Sequence, residues 1–520
     1  MSINSIRTLI ERAGKTHGDK IALVLDEKNI NYTQLLSRVN QVAYYLKELN
    51  LPKDSRIGIY SNKSIEQVVA ILAILSTDYI LVPLTKLLKP EQVKYIIEDC
   101  DIKCIITDKP QNIQEVDFNG HIISYEPFVE DMASFNEIYK YYNKAYTCEV
   151  NGHSNAVITY SFGLSGSPKG IVISHRNLID SARVVSKYLS LKENDVISGI
   201  LIFNFDYGLN QIFASLYKKA TLALHRFILA QDFLNHLIND KITILPLMPI
   251  NITQIFDEDM HRLPSAQLFE NIRIITSSGG NITKKMVKDC KNLFTSAAFY
   301  SMHGLTEAFR STYLDPQQIE IRPDSIGKAI PDVELYVINE DAKECAPREV
   351  GELIHRGGYI YRGFWNAPEQ NASRFQSIQI LKNVINLEGH LNDEIVVASG
   401  DYVYKDEEGY LYFVCRHDDM IKTRGFRVSP LEIESVVEVN IPQIDVSAVF
   451  SIENEDREEE IVLVYTAKNE IPKKEILFEL KKHLASYMIP SNIIFKKSLP
   501  LMQSDKNKVN KEELKRGLLQ

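Results

Sequence analysis

The sequence predicts an α/β fold: a large N-terminal body of mostly parallel sheet with an antiparallel segment, followed by a small α+β C-terminal unit. Three observations carry that expectation. Short β-branched runs alternate with helical patterns through most of the chain, and this alternation is the pattern of parallel sheets. Beyond Gly351 the strands become shorter and glycine-punctuated, which suggests antiparallel pairing. At 520 residues the chain is also longer than a single typical domain.

Taken in order, an N-terminal helix precedes KIALVLDEKNINYTQLLSRVNQVAYYLKEL, which reads as two strands and an amphipathic helix, with Asn31 and Thr33 at the turn. RIGIYS, YILVPL, KCIITD, NAVITYS, ATLALH, ITILPLM and RIITSSGG read as strands, with helices such as EQVVAILAIL and PEQVKYIIEDC between several of them. GELIHRGGYIYRGFW and EEGYLYFVCR form the antiparallel segment. The last unit contains a helix opened near Ser429 and Pro430, the strands DVSAVFSI and EEIVLVYTA, and a helix over KKEILFELKKHLASYM. The expected boundary lies near Asp418, dividing the chain into 1–417 and 418–520.

Composition excludes several classes. Hydrophobic residues make up 45% and charged residues 24%, as in soluble globular proteins rather than disordered or fibrous ones. A net charge of −9 offers no positive field for nucleic acid. The six cysteines have neither CxxC pairing nor zinc-site spacing, so reduced thiols and a cytoplasmic location are expected. No uncharged apolar run is long enough for a membrane span, and the N-terminus lacks the apolar core of a signal peptide.

The residues that suggest chemistry begin with Tyr160-Ser-Phe-Gly-Leu-Ser-Gly-Ser-Pro-Lys-Gly170, after an apolar strand and before a helical pattern. Glycines let backbone approach phosphate, hydroxyls donate hydrogen bonds and Lys169 supplies a cation. It is not a Walker loop, and alone it reads equally well as a turn. Three further blocks follow: Tyr300-Ser-Met-His-Gly-Leu-Thr-Glu307, Ser399-Gly-Asp401, and Arg416-His-Asp-Asp-Met-Ile-Lys-Thr-Arg-Gly-Phe-Arg-Val428 leading into Glu432-Ile-Glu434.

The order and content of these blocks resemble the adenylate-forming superfamily of acyl-CoA synthetases, peptide-synthetase adenylation domains and luciferases, over essentially the whole chain. The resemblance implies that Ser161, Gly163, Ser165, Gly166, Ser167, Lys169 and Gly170 hold the phosphates of ATP. It implies that Gly279, Gly280 and Asn281 border the adenine, with His303 at the place of the family's adenine-stacking tyrosine and Phe413 as an aromatic contact. It also implies that Gly304 belongs to the ATP site, that Asp401 accepts from the ribose hydroxyls, and that Arg416 adds a contact to the nucleotide. Thr306 would touch the α-phosphate and Glu307 would help to hold Mg2+. Near the C-terminus Lys508 matches the family's catalytic lysine, although by composition alone it is one solvated lysine among several. A lysine bridging carboxylate and α-phosphate would stabilise the charge that builds up as they meet.

The resemblance further implies a hinge at Asp418 and a thiol tunnel near Gly425 and Arg427. The acyl pocket would include Asp206, Tyr207, Asn210, Thr276, Met302 and Arg310. Asp206 matches the aspartate that receives a substrate ammonium in amino-acid-activating members, and as a bare sequence feature it is equally a helix cap. Phe162, Leu164, His303 and Cys415 depart from the family pattern.

The expected activity is ATP-dependent conversion of an amino acid or small carboxylic acid to its acyl-AMP. Transfer to the phosphopantetheine of a separate carrier protein would follow. A small-acid CoA ligase is the alternative, and a catalytically degenerate nucleotide-binding protein a third reading.

Overall fold

The computed structural model describes residues 4–129, 132–142, 146, 148–162, 168–256, 263–280, 282–388, 393–416, 421–423, 426–428, 430–454, 457–500, 509 and 511–519. Among these residues the fold is α/β, and its body rests on two sheets.

The first sheet has a parallel half in the spatial order Ala298–His303, Ile274–Ser277, Ile244–Leu247, Val196–Gly199, Thr221–Leu224 and Ile21–Leu25. It continues from Ala298–His303 into antiparallel strands, namely Thr312–Leu314, Ser325–Ala329, Leu411–Arg416, Ile395–Lys405, Gly351–Gly357 and Val333–Ile338. Antiparallel pairing therefore starts earlier than the pattern beyond Gly351 suggests. Thr312–Leu314 is too short to show an alternation.

The second sheet runs His121–Ser124, Ile102–Thr107, Arg56–Tyr60, Ile80–Leu84 and Asn155–Phe162, all parallel. Pro168–Ser174 closes it antiparallel. Ile80–Leu84 is buried along its whole length, as a strand covered on both faces should be. Between the sheets, helix Ile65–Ile74 buries every residue except Glu66 and contacts strands of both. That position accounts for its apolar character on all sides. Helix Tyr32–Glu48 starts where the sequence marks it, with Asn31 Oδ1 accepting from Gln34 N at 2.8 Å.

The small C-terminal domain packs helices Pro430–Asn440 and Lys473–His483 with the strands Ile444–Asn454, Arg457–Ala467 and Asn492–Phe495. The helix expected through Met488 stops at His483. Leu484 turns extended so that Leu484, Ala485, Tyr487 and Met488 enter the local core, and burial overrides helical propensity there. The domain rests on helix Pro90–Asp99: Gln92 Nε2 donates to Glu432 Oε1 at 2.8 Å, and Lys89 Nζ to the Lys481 carbonyl at 2.8 Å. The boundary expected at Asp418 lies outside the described residues.

Candidate active site

A cleft opens where the carboxyl ends of parallel strands from both sheets converge, the usual ligand position of open α/β sheets. Pro83 and Ser161 reach it from the second sheet. Met248, Ser278, Gly279 and His303 reach it from the first.

At one end, Asn155–Phe162 and Pro168–Ser174 form a hairpin in which Ser161 pairs with Lys169 and Tyr160 with Gly170. Residues 163–167, the centre of the glycine-rich segment, lie outside the described residues; the strands on either side of them pair antiparallel. Helix His175–Tyr188 begins only after the second strand. Gly279 has φ of 91°, which bends the chain away after Ser277 and brings backbone to the cleft.

His303 ends its strand beside Asp401, whose side chain is fully buried in Ile395–Lys405. His303 Nε2 and Asp401 Oδ2 lie 3.1 Å apart. Arg416 is paired opposite Asp401 by sheet register. The Phe413 ring lies 6.0 Å from the His303 ring at a 38° tilt. Thr306 and Gly304 line the cleft just beyond His303, and the Glu307 carboxylate is buried behind them, with Arg374 Nε 3.8 Å from its Oε1.

A loop at 359–365 joins the two sides of this end. Phe309 N donates to the Tyr359 carbonyl and Tyr361 N to the Glu307 carbonyl, while Arg362 N bonds the Val172 carbonyl and Trp365 N the Gly170 carbonyl. Sequence periodicity extends the strand GELIHRGGYIYRGFW through this loop. The structure ends the strand at Gly357.

At the other end, Asp206 is the first residue of helix Asp206–Lys218, one position after the N-cap Phe205. Asp206 Oδ1 accepts from Tyr207 N at 2.6 Å, and Oδ2 accepts from the Tyr361 hydroxyl at 3.4 Å. Burial, and then the charge of Asp206, hold the Tyr361 phenol well above its ordinary pKa, so it donates as a neutral hydroxyl. Gly208 lets this helix start against the preceding turn, because a Cβ there would overlap the Ile202 carbonyl.

Tyr207 Oη lies 2.8 Å from Thr276 Oγ1. The Arg310 guanidinium sits 4.6 Å from the Tyr207 ring centre and 5.2 Å from that of Phe309, with the residue only 4% exposed. Asn210 and Thr276 do not face the main cleft. They line a cavity of about 10 Å³ behind it, whose wall includes Tyr207, Met302 and Arg310.

Residues 10–365 match the AMP-binding enzyme family, and residues 432–506 match its C-terminal domain. The chain belongs to the AMP-binding enzymes. Among curated proteins it is 25% identical over 513 residues to tyrocidine synthase 1 of Brevibacillus parabrevis, covering 96% of this chain and 44% of that protein. The chain thus spans less than half the length of that relative.

Among solved structures, it resembles a double mutant of o-succinylbenzoate CoA synthetase from Bacillus subtilis bound to a product analogue. The TM-score is 0.83 at 22% identity, covering 98% of this chain and 97% of that one. Against the same synthetase holding its acyl-adenylate intermediate the TM-score is 0.69, also at 22% identity, covering 98% and 97%.

In this AMP-binding enzyme the C-terminal domain also reaches the cleft, through Phe426 and Tyr487, whose rings stack 3.9 Å apart at 10°. Phe426 belongs to a block the sequence singles out but carries no role there, and Tyr487 and Tyr361 do not stand out at all, because each acquires its position from long-range packing. Gly163, Ser165, Gly166, Ser167, Asn281, Asp418, Gly425 and Lys508 lie outside the described residues, as do the side chains of Arg416 and Arg427. His225 lies elsewhere, with one ring nitrogen 2.8 Å from Asp240 and the other 3.0 Å from Ser198, an internal bracing role. No helix among the described residues is long and apolar enough to cross a membrane.

Proposed function

We propose that this AMP-binding enzyme activates an amino acid or small carboxylic acid with ATP and passes the acyl group to a phosphopantetheine thiol. The observation that carries this reading is one cleft with two chemically distinct ends. Hairpin strands bearing Ser161 and Lys169, with the His303–Asp401 pair, suit a nucleotide. Asp206, Tyr361 and Arg310 suit a small polar acid.

In the first half-reaction a carboxylate oxygen would attack the α-phosphorus while the bond to the bridging oxygen of pyrophosphate breaks in line. The carboxylate is already a nucleophile, so no general base is required. Asp401 would accept from the ribose hydroxyls, with His303 orienting its carboxylate. Thr306 would donate to an α-phosphate oxygen. Lys508 would bridge carboxylate and phosphate.

Glu307 has the hard carboxylate chemistry that suits Mg2+, which commonly binds one or two protein carboxylates together with substrate phosphates. When bound, the ion would neutralise phosphate charge. In the second half-reaction thiolate sulfur would attack the acyl carbonyl carbon, the bond to the AMP oxygen would break, and AMP would leave. The higher TM-score against the product-analogue complex supports reading the described domain arrangement as one suited to this second step.

The acceptor would be the phosphopantetheine of a carrier protein, with a small-acid CoA ligase as the second reading, favoured by the resemblance to a CoA synthetase. A cytoplasmic location would suit the free buried thiols. ATP–pyrophosphate exchange across amino acids and simple acids tests the first half-reaction. Exchange dependent on one acid is expected; absence of exchange with every acid, alongside intact ATP binding, would favour the catalytically degenerate reading.

A further inference from the structure

Arg310 is 4% exposed and lines both the cleft and the small cavity behind it. Among the described residues it makes ring contacts with Tyr207 and Phe309, no hydrogen bond or ion pair, and its Nε is buried with no acceptor. Its φ of 38° is left-handed, which few non-glycine residues adopt without compensation. A buried guanidinium is costly unless an anion accepts from it, and ring faces replace only part of the lost hydration. The missing anion would therefore come from a ligand.

The position identifies which anion. Phosphate would belong at the hairpin end with Ser161, whereas Arg310 lies across the face of Tyr207, whose hydroxyl is bonded to Thr276. Behind Arg310 lies only a small further cavity of about 10 Å³, so the guanidinium closes this side of the cleft. Asp206 stands on the same cleft, and the Tyr361 hydroxyl feels both charges, with Asp206 raising its pKa and Arg310 lowering it.

We propose that Arg310 binds a second anionic group on the acyl chain, so that the substrate is a short acid bearing a further carboxylate. An acidic amino acid would fit best, with its α-ammonium at Asp206 and its side-chain carboxylate at Arg310. This rests on the adenylation reading, and it goes further by naming the substrate class.

The test measures pyrophosphate exchange by the full chain with aspartate and glutamate, with succinate and glutarate, and with alanine, valine and butyrate. At least tenfold higher kcat/KM is expected for an acid carrying the second carboxylate, and the amino and plain diacids distinguish the two forms of that class. Arg310→Gln should remove this preference, mainly by raising KM for the diacid about 100-fold, with KM for ATP unchanged. Exchange best with neutral acids, or an equal kcat loss for every acid in Arg310→Gln, would overturn the assignment while leaving adenylation standing.

Should Arg310→Gln not fold, the thermal shift of the unaltered chain with each acid reads binding directly. A shift with diacids over monoacids is expected, and none would overturn the proposal. A diacid shift without any exchange would instead sink the adenylation reading and retain the anion site.

Discussion

Asp401 shows how little of a site's wiring is local. It is fully buried and shares a hydrogen bond with His303, yet the two are 98 residues apart in sequence. If the carboxylate accepts from ribose, Asp401→Ala should weaken ATP binding by about 10- to 100-fold, since hydrogen bonds to a charged group contribute roughly 1.5–3 kcal/mol each. Titration calorimetry checks this. Unchanged ATP affinity in a folded variant would remove the proposed ribose contact. Both residues were legible from their motifs, and their mutual bond was not, because it depends on the pairing of distant strands. Asp206 was legible only as an alternative between cap and ligand. Its place one residue inside the helix, with Tyr361 on its other oxygen, is tertiary information.

At the scale of elements, strand existence was readable wherever β-branched residues ran together, as in YILVPL and NAVITYS. The hairpin was harder: the run preceding SHRNLIDSARVV is short, and its pairing with Asn155–Phe162 makes it a strand. Glu432, in the first turn of helix Pro430–Asn440, was recognised only as part of a motif. Packed against helix Pro90–Asp99 and beside Tyr487, it is buried. Desolvation pushes its carboxyl pKa up to about 8 from an ordinary 4.5, against a smaller opposite effect of the Gln92 hydrogen bond.

Below pH 4.5 both folded and unfolded states hold that proton, and between 4.5 and 8 only the folded state does. This group's penalty on stability therefore grows as pH rises through that window and levels off above about 8. Glu432→Gln should flatten this part of the melting-temperature profile and raise Tm at pH 8 relative to pH 5. Parallel profiles for the variant and the unaltered chain would mean that the carboxyl is already ionised in the folded protein.

For the whole molecule, the alternation of strands and helices made the α/β class legible, whereas the packing of the C-terminal domain against Pro90–Asp99 left no trace in local pattern. That packing bears on Lys508, for which the proposed function has a role in the acyl-activating step. In the arrangement described, Phe426 and Tyr487 of the C-terminal domain line the cleft. If one domain orientation serves each half-reaction, a residue needed in the first can be dispensable in the second. Lys508→Ala should slow acyl-adenylate formation by about 10²- to 10³-fold, the usual effect of losing one preorganised donor at a developing anion. Thioester formation from a supplied acyl-adenylate should change far less. Single-turnover assays of the two half-reactions separate these outcomes. Equal loss in both would contradict the two-orientation mechanism, and no loss in either would transfer the role to a neighbouring lysine such as Lys506 or Lys511.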